Sequence, residues 1–214
     1  MSAAPDTPIN GLFPNNVATC FSPVMPADAE LLPAEQTDTE GMIEKRLQEF
    51  THGRYSARQA LRQLGTEAFA IPKAVDRSPV WPAGIVGTIT HSGPLAAAAV
   101  ARASDYAGLG LDLETNEPLT RDIRRMVCRN DEDPKDLAAA KLYFVCKEAI
   151  YKCIYPQVGV YVDFLEMELK LNHGDCSFTA VAHSENFDTR LVRPLQGQFR
   201  LAQGLIIAAA WIAT

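Results

Sequence analysis

Gly110-Leu111-Asp112-Leu113-Glu114 and Phe144-Val145-Cys146-Lys147-Glu148-Ala149-Ile150-Tyr151-Lys152 are two acidic segments whose starts lie 34 positions apart. Leu109, Leu111 and Leu113 recur at every second position, so the first segment reads as a strand with its leucines on one face. Asp112 and Glu114 then share the opposite face. In the second segment Phe144, Glu148 and Lys152 fall at i, i+4 and i+8, which makes them one row of a helix. If the fold brings strand face and helix row together, three carboxylates converge beside a lysine. Such a set suits a hard divalent cation and a phosphate.

Outward from these two segments, the spacing predicts a helix over about 135–155 and another from about Thr37 to Leu64, with Gly65 as its stop and Gly53 as a break. Gly84 to His91 and Leu95 to Arg102 read as strands joined by a Ser92-Gly93-Pro94 turn. The Asp112 strand follows, completing three consecutive antiparallel strands. Further strands are expected at Tyr161–Leu171, Ser177–His183, Gln198–Ala202 and Leu205–Ile212. Residues 66–83 read as loop. Residues 1–41 hold six of the fourteen prolines and no lysine or arginine, an extended, partly ordered lead-in whose first eight residues read as disordered. Each half is thus a helix followed by antiparallel strands, an α+β arrangement without a sequence repeat.

At 214 residues and 47% hydrophobic, the chain has enough apolar material for one domain or two small ones. A formal net charge of −6 argues against a nucleic-acid binder with a broad phosphate-contacting surface. Five cysteines with no C-x-x-C pair argue against a disulfide scaffold or zinc ribbon and for a reducing compartment. The first basic residue is Lys45, so no charged leader is seen, and the apolar run from Leu205 to Ala213 is too short to span a bilayer. A cytoplasmic location is the expectation.

Other residues admit two readings each. Glu148 and Lys152 are also spaced for a plain helix salt bridge worth about 0.3–0.5 kcal/mol. His91, at a strand end between Thr90 and Ser92, reads either as a solvent-facing residue or as a phosphate contact. Arg54 and Arg58 share a helix face with Arg46 about two turns earlier. They form either a solvated basic face or a guanidinium clamp for a phosphate, to which Lys73 would add a point charge. There is no P-loop, dinucleotide-binding or nucleophile-elbow motif.

Taken in order, these blocks resemble the 4′-phosphopantetheinyl transferases, in particular the enterobactin synthase component D-like group. Its signatures are a G-[IV]-D-x-E strand and a [FW]-x-x-K-E-[AS]-x-x-K helix, which the two opening segments match. Lys45-Arg46 through Leu64-Gly65, Arg77-Ser78-Pro79-Val80-Trp81-Pro82, Thr90-His91-Ser92, Tyr155-Pro156 and the Gly197–Trp211 closing pattern also fit, so the resemblance covers roughly residues 9–212. Leu111 replaces the usual isoleucine or valine, and Thr88 and Val145 stand where serine or threonine is common.

The resemblance implies two similar α+β halves packed as a pseudo-dimer within one monomeric chain. Residues 1–115 would hold the coenzyme A phosphates and 116–214 the catalytic helix. It implies transfer of the phosphopantetheine arm of coenzyme A to a serine of an acyl or peptidyl carrier protein, in siderophore, peptide or polyketide synthesis. Mg²⁺ (or Mn²⁺) would be held by Asp112, Glu114 and Glu148. Glu148 would take the serine proton, directly or through a water molecule, and Lys152 would stabilise the phosphate oxygens. Arg46, Arg54, Arg58, Lys73, His91 and Lys147 would bind coenzyme A, with Arg46, Arg54 and His91 nearest the 3′-phosphate. A pyrophosphohydrolase or a non-catalytic coenzyme A-binding module would use much the same charge pattern.

Overall fold

The computed structural model describes residues 7–67 and 69–214. Two antiparallel sheets form. One has strand order β1-β3-β2, with β1 at Ala18–Ser22, β2 at Ile85–Ser92 and β3 at Leu95–Arg102. The other has order β4-β8-β7-β6-β5, with β4 at Tyr106–Thr115, β5 at Met167–Asn172, β6 at Ser177–Ala182, β7 at Gln196–Ala202 and β8 at Leu205–Ala213. Among the described residues four α-helices accompany them: α1 (Pro33–Gln36), α2 (Glu44–Gln63), α3 (Arg121–Val127) and α4 (Leu137–Val158). The result is the expected α+β arrangement of two similar halves.

The runs Leu95–Val100 and Leu205–Ala210 explain how the halves stack. Each belongs to a strand flanked on both sides within its sheet, and each is apolar on both faces because both faces are covered. In β3, Ala98 and Val100 pack with Ala57, Ala60 and Leu61 of α2, while Ala97, Ala99 and Ala101 face Leu109, Leu111, Leu113 and Ile207 of the other sheet. In β8, Ile206, Ala208 and Ala210 pack with Val145, Ala149 and Ile150 of α4. The layers therefore run helix, sheet, sheet, helix.

Several sequence expectations need correction. The Asp112 strand does not extend the β2–β3 hairpin. Instead β4 pairs with β8 along its length, and Leu111 N–H reaches β2 only through the Thr88 hydroxyl, at 3.1 Å. The reason is that its leucine face is buried against the alanines of β3 across the central core. By strand pairing, β4 goes with the C-terminal elements. Gly53 does not break α2, since a Cβ there would meet Ile89 Cγ2 at 2.8 Å, and the glycine lets the helix lie close on β2. Pro156 lies inside α4, within the last turn before Gly159 closes the helix at φ 65°. The lead-in contains β1, hidden from sequence reading by its proline-rich flanks. Of the eight residues read as disordered, 1–6 lie outside the described residues, and Pro8 is buried, its carbonyl accepting from Arg200 at 3.1 Å.

The face of β4 opposite the leucines carries Gly108 and Gly110. A Cβ on Gly110 would overlap the Ala149 carbonyl oxygen, and one on Gly108 the Cys153 carbonyl oxygen. The two glycines therefore seat α4 against the strand backbone itself. Because neither partner can yield cheaply, Gly110→Ala is expected to cost about 3 kcal/mol or more. In calorimetry the unfolding midpoint should fall by roughly 6–12 °C.

Candidate active site

A cleft of about 400 Å³ opens between α2, β2, α4 and the segment just before β2. Its aromatic walls are Phe50, Trp81, Tyr151 and Tyr155. Gly87 shapes the floor, since any Cβ there would collide with the Trp81 indole. Residues 72–80 fold back on themselves through Ala74 N–H to Ser78 O and Val80 N–H to Pro72 O, both 2.8 Å. At the tip Asp76 accepts from Ser78 and, from across the cleft, from the Tyr155 hydroxyl at 2.9 Å. Arg77 beside it holds a left-handed backbone, φ 72°, and lines the cleft.

Cationic groups concentrate at the α2 end. Arg46 Nη1 lies 2.9 Å from His91 Nε2 and 3.4 Å from Glu49 Oε2. Burial pushes the His91 imidazole below its ordinary pKa against the pull of Glu49, and Arg46 and Lys152 push it further. Arg54 lies over the Phe50 ring, 4.2 Å from its centroid. Burial lowers it to about 10, which leaves it charged at neutral pH.

Strand motif and helix motif meet at Asp112. Its Oδ1 accepts from Lys152 Nζ at 2.7 Å and from Thr90 Oγ1 at 2.9 Å. Lys152 thus bonds the strand carboxylate across the helix–strand contact and makes no ion pair with Glu148. The Glu148 carboxylate has no hydrogen-bond partner among the described residues. Its carboxyl is raised above the usual range by burial first and by Asp112, with a smaller upward push from Glu114. Glu114 itself pairs with Lys141 at 3.2 Å.

Among the described residues no group of three or more His, Cys, Asp or Glu side chains is placed to hold a metal ion unaided. The donor set nonetheless fits a cation. Asp112 Oδ2 is buried without a partner, and Asp112 and Glu114 both push the Glu148 carboxyl upward, as negative charges near a carboxylate do. Mg²⁺ ordinarily takes one or two carboxylates plus substrate phosphates rather than an all-protein cage.

Of the residues expected to bind coenzyme A, Arg46, Arg54 and His91 line the cleft, as does Lys152. Three others do not. The Arg58 guanidinium is buried against Glu35, Nη1 to Oε2 2.6 Å, and also donates to the Glu30 carbonyl. Lys73 Nζ donates to the Asp38 carbonyl at 3.1 Å. Lys147 is nearly fully buried and spends its three protons on Val127 O, Glu132 Oε2 and Phe164 O at 2.8, 2.6 and 3.0 Å. Glu132 in turn accepts from the Leu169 and Arg129 amides, so the pair ties α4 to β5 and to the segment after α3. Arg77, Tyr151 and Tyr155 were absent from the sequence-derived set. Each falls in a quoted block, Arg77–Pro82, Phe144–Lys152 or Tyr155-Pro156, but none of the three sits at a position whose spacing marks a charge for phosphate. Thr88 lines the cleft with its hydroxyl accepting from the Leu111 amide, and Val145 is buried in the core away from the cleft.

The fold and the cleft define an α+β protein of two similar halves with a cationic groove between them, lined in part by Lys152, which pairs with Asp112. The profile of the 4′-phosphopantetheinyl transferase N-terminal domain matches residues 34–101. The chain is 33% identical to 4′-phosphopantetheinyl transferase Svp of Streptomyces mobaraensis over 194 residues, covering 86% of this chain and 79% of that one. It is 29% identical to 4′-phosphopantetheinyl transferase Npt of Nocardia iowensis, covering 94% and 98%. A shorter match, 33% identical over 53% of this chain and 50% of the other, is to enterobactin synthase component D of Salmonella typhi. The chain belongs to the 4′-phosphopantetheinyl transferase family.

The buried placement of Lys147 is the easiest to check. Lys147→Ala would leave Glu132 charged and buried, and should destabilise the fold by about 3–5 kcal/mol. The urea midpoint reports this directly. A role in ligand binding would instead leave the midpoint in place.

Proposed function

We propose that this chain moves the phosphopantetheine arm of coenzyme A onto a serine of an acyl or peptidyl carrier protein and releases 3′,5′-ADP. The observation that carries the reading is Asp112, bonded by Lys152 and Thr90 on one oxygen and bare on the other, beside a cleft lined by Arg46, Arg54 and His91. Coenzyme A brings a pyrophosphate and a 3′-phosphate, and these side chains offer the matching charge. In this reading residues 1–115 hold the phosphates and 116–214 supply the helix that acts, with β4 in the first part by sequence and paired with β8 of the second. One chain lines both walls of the cleft, so a monomer suffices.

Asp112, Glu114 and Glu148 would hold Mg²⁺, with Mn²⁺ the alternative, which when bound supplies positive charge to the pyrophosphate. Glu148 accepts the proton of the carrier serine, and its raised pKa brings it nearer the working pH of a general base. The serine oxygen bonds the β-phosphorus as the bond to the bridging pyrophosphate oxygen breaks. Lys152, oriented by Asp112 and by the Leu111 carbonyl at 3.1 Å, stabilises charge on the departing ADP. Arg46, Arg54 and His91 hold the 3′-phosphate. The enterobactin synthase relative favours carriers of siderophore or other secondary-metabolite synthesis. Among the described residues no helix is long and apolar enough to cross a membrane.

Intact-mass spectrometry of an apo carrier incubated with the protein, coenzyme A and Mg²⁺ tests the reading. The carrier should gain one phosphopantetheine, and EDTA should abolish the gain. Coenzyme A cleaved with no change on the carrier would point to a hydrolase. Asp112→Ala, Glu148→Ala and Lys152→Ala should each lower turnover by about 10²–10⁴-fold with circular dichroism unchanged. Arg54→Ala should act mainly on the KM for coenzyme A, raising it roughly 10–100-fold.

A further inference from the structure

Glu35 is fully buried, a costly position for a carboxylate unless every oxygen is bonded. It lies in α1, four residues long and too short to hold itself together. Its partners come from three separate segments. Arg58 Nη1 and the Leu32 amide donate to Oε2 at 2.6 and 2.9 Å, and the Ile71 amide donates to Oε1 at 2.9 Å. The other side of residue 71 leads to the cleft, because its carbonyl accepts from Arg54 Nε at 2.6 Å. Carboxylate, residue 71 and guanidinium form one chain of hydrogen bonds.

That chain leaves Arg54 in a particular state. Its Nε is spent and its plane is held over Phe50, while neither terminal nitrogen has a partner among the described residues. A guanidinium fixed in this way loses little freedom on meeting a phosphate. Glu35 is also the foremost charge opposing the loss of the Arg54 proton on burial, with Asp38 next. Asp38 lies three residues on and grips Lys73 by its backbone N–H at 2.5 Å. The lead-in thus braces the whole strip from Ile71 to Lys73 beneath α2.

We infer that Glu35 is a positioning residue for coenzyme A: through residue 71 it sets the Arg54 guanidinium so that its free nitrogens meet the 3′-phosphate. The inference rests on the function proposed above. It makes α1 part of the ligand site although α1 does not line the cleft. A plain core contact would support the fold equally for any ligand. A positioning contact acts only where the ligand carries the phosphate that Arg54 reads.

Coenzyme A and dephospho-coenzyme A, which lacks the 3′-phosphate, separate the two roles. The ratio of their KM values would be measured by carrier modification for the wild type, Glu35→Gln, Arg54→Gln and the double variant Glu35→Leu/Arg58→Met. The double variant removes both buried charges together and guards against a single variant that fails to fold. The wild type should prefer coenzyme A by about tenfold or more. Glu35→Gln and the double variant should lose most of that preference, as Arg54→Gln does. In the wild type, hydrogen exchange of the Ile71 amide should slow on binding coenzyme A and not on binding dephospho-coenzyme A.

A folded double variant that keeps the wild-type preference, or an Ile71 amide indifferent to the 3′-phosphate, overturns the inference. A wild type that modifies the carrier without preferring coenzyme A removes the assignment of Arg54 to the 3′-phosphate, and this inference with it. A wild type that modifies no carrier fails the proposed function instead.

Discussion

Gly108 and Gly110 leave no side chain between β4 and the backbone of α4, and the geometry of the cleft floor follows from that contact. With the helix seated directly on the strand, Lys152 reaches both the Leu111 carbonyl and the Asp112 carboxylate. The same seating puts Glu148 within the influence of Asp112 and Glu114. A helix displaced by the width of one methyl group would loosen all of these together. Backbone contact is a sturdier ruler than side-chain packing, because it has no rotamers to relax into.

The cleft also shows how a protein of formal charge −6 can present a cationic surface. Several acids outside the cleft lining are assigned to particular cations. Glu35 faces Arg58, Glu132 faces Lys147, and Glu114 faces Lys141. Arg54 makes no ion pair, and the phosphate-facing role proposed for it depends on that. Burial lowers the pKa values of both Arg54 and His91, a cost that an adjacent anion would offset.

The fold was largely legible because alternation and helical period are local properties. The leucines at 109, 111 and 113 place Asp112 and Glu114 on one side of a strand whichever neighbour that strand takes. Which neighbour it takes is not local. The pairing of β4 with β8 joins residue 106 to residue 213 and follows from which faces remain to be buried after β2 and β3 have paired. In the site, Arg46, Arg54 and His91 were found from spacing and resemblance, and the structure lines the cleft with them. Lys147 and Arg58 looked identical in kind, since a basic residue beside a motif carries no mark of which way its side chain turns. Only the buried acids Glu132 and Glu35 distinguish them, and both lie in segments without periodicity.

The order of elements along the chain has a consequence for biosynthesis. α4 is complete by residue 158, yet a principal surface it packs on is β8, which begins at residue 205. At 5–20 residues per second, roughly 2–10 s separate the helix from its docking strand. During that interval Ala149, Ile150 and Cys153 lack part of their cover. Sheet closure over such separations is slow even in a finished chain. Helix α4 is therefore an exposed apolar helix early in the life of the molecule, and a natural client for a chaperone.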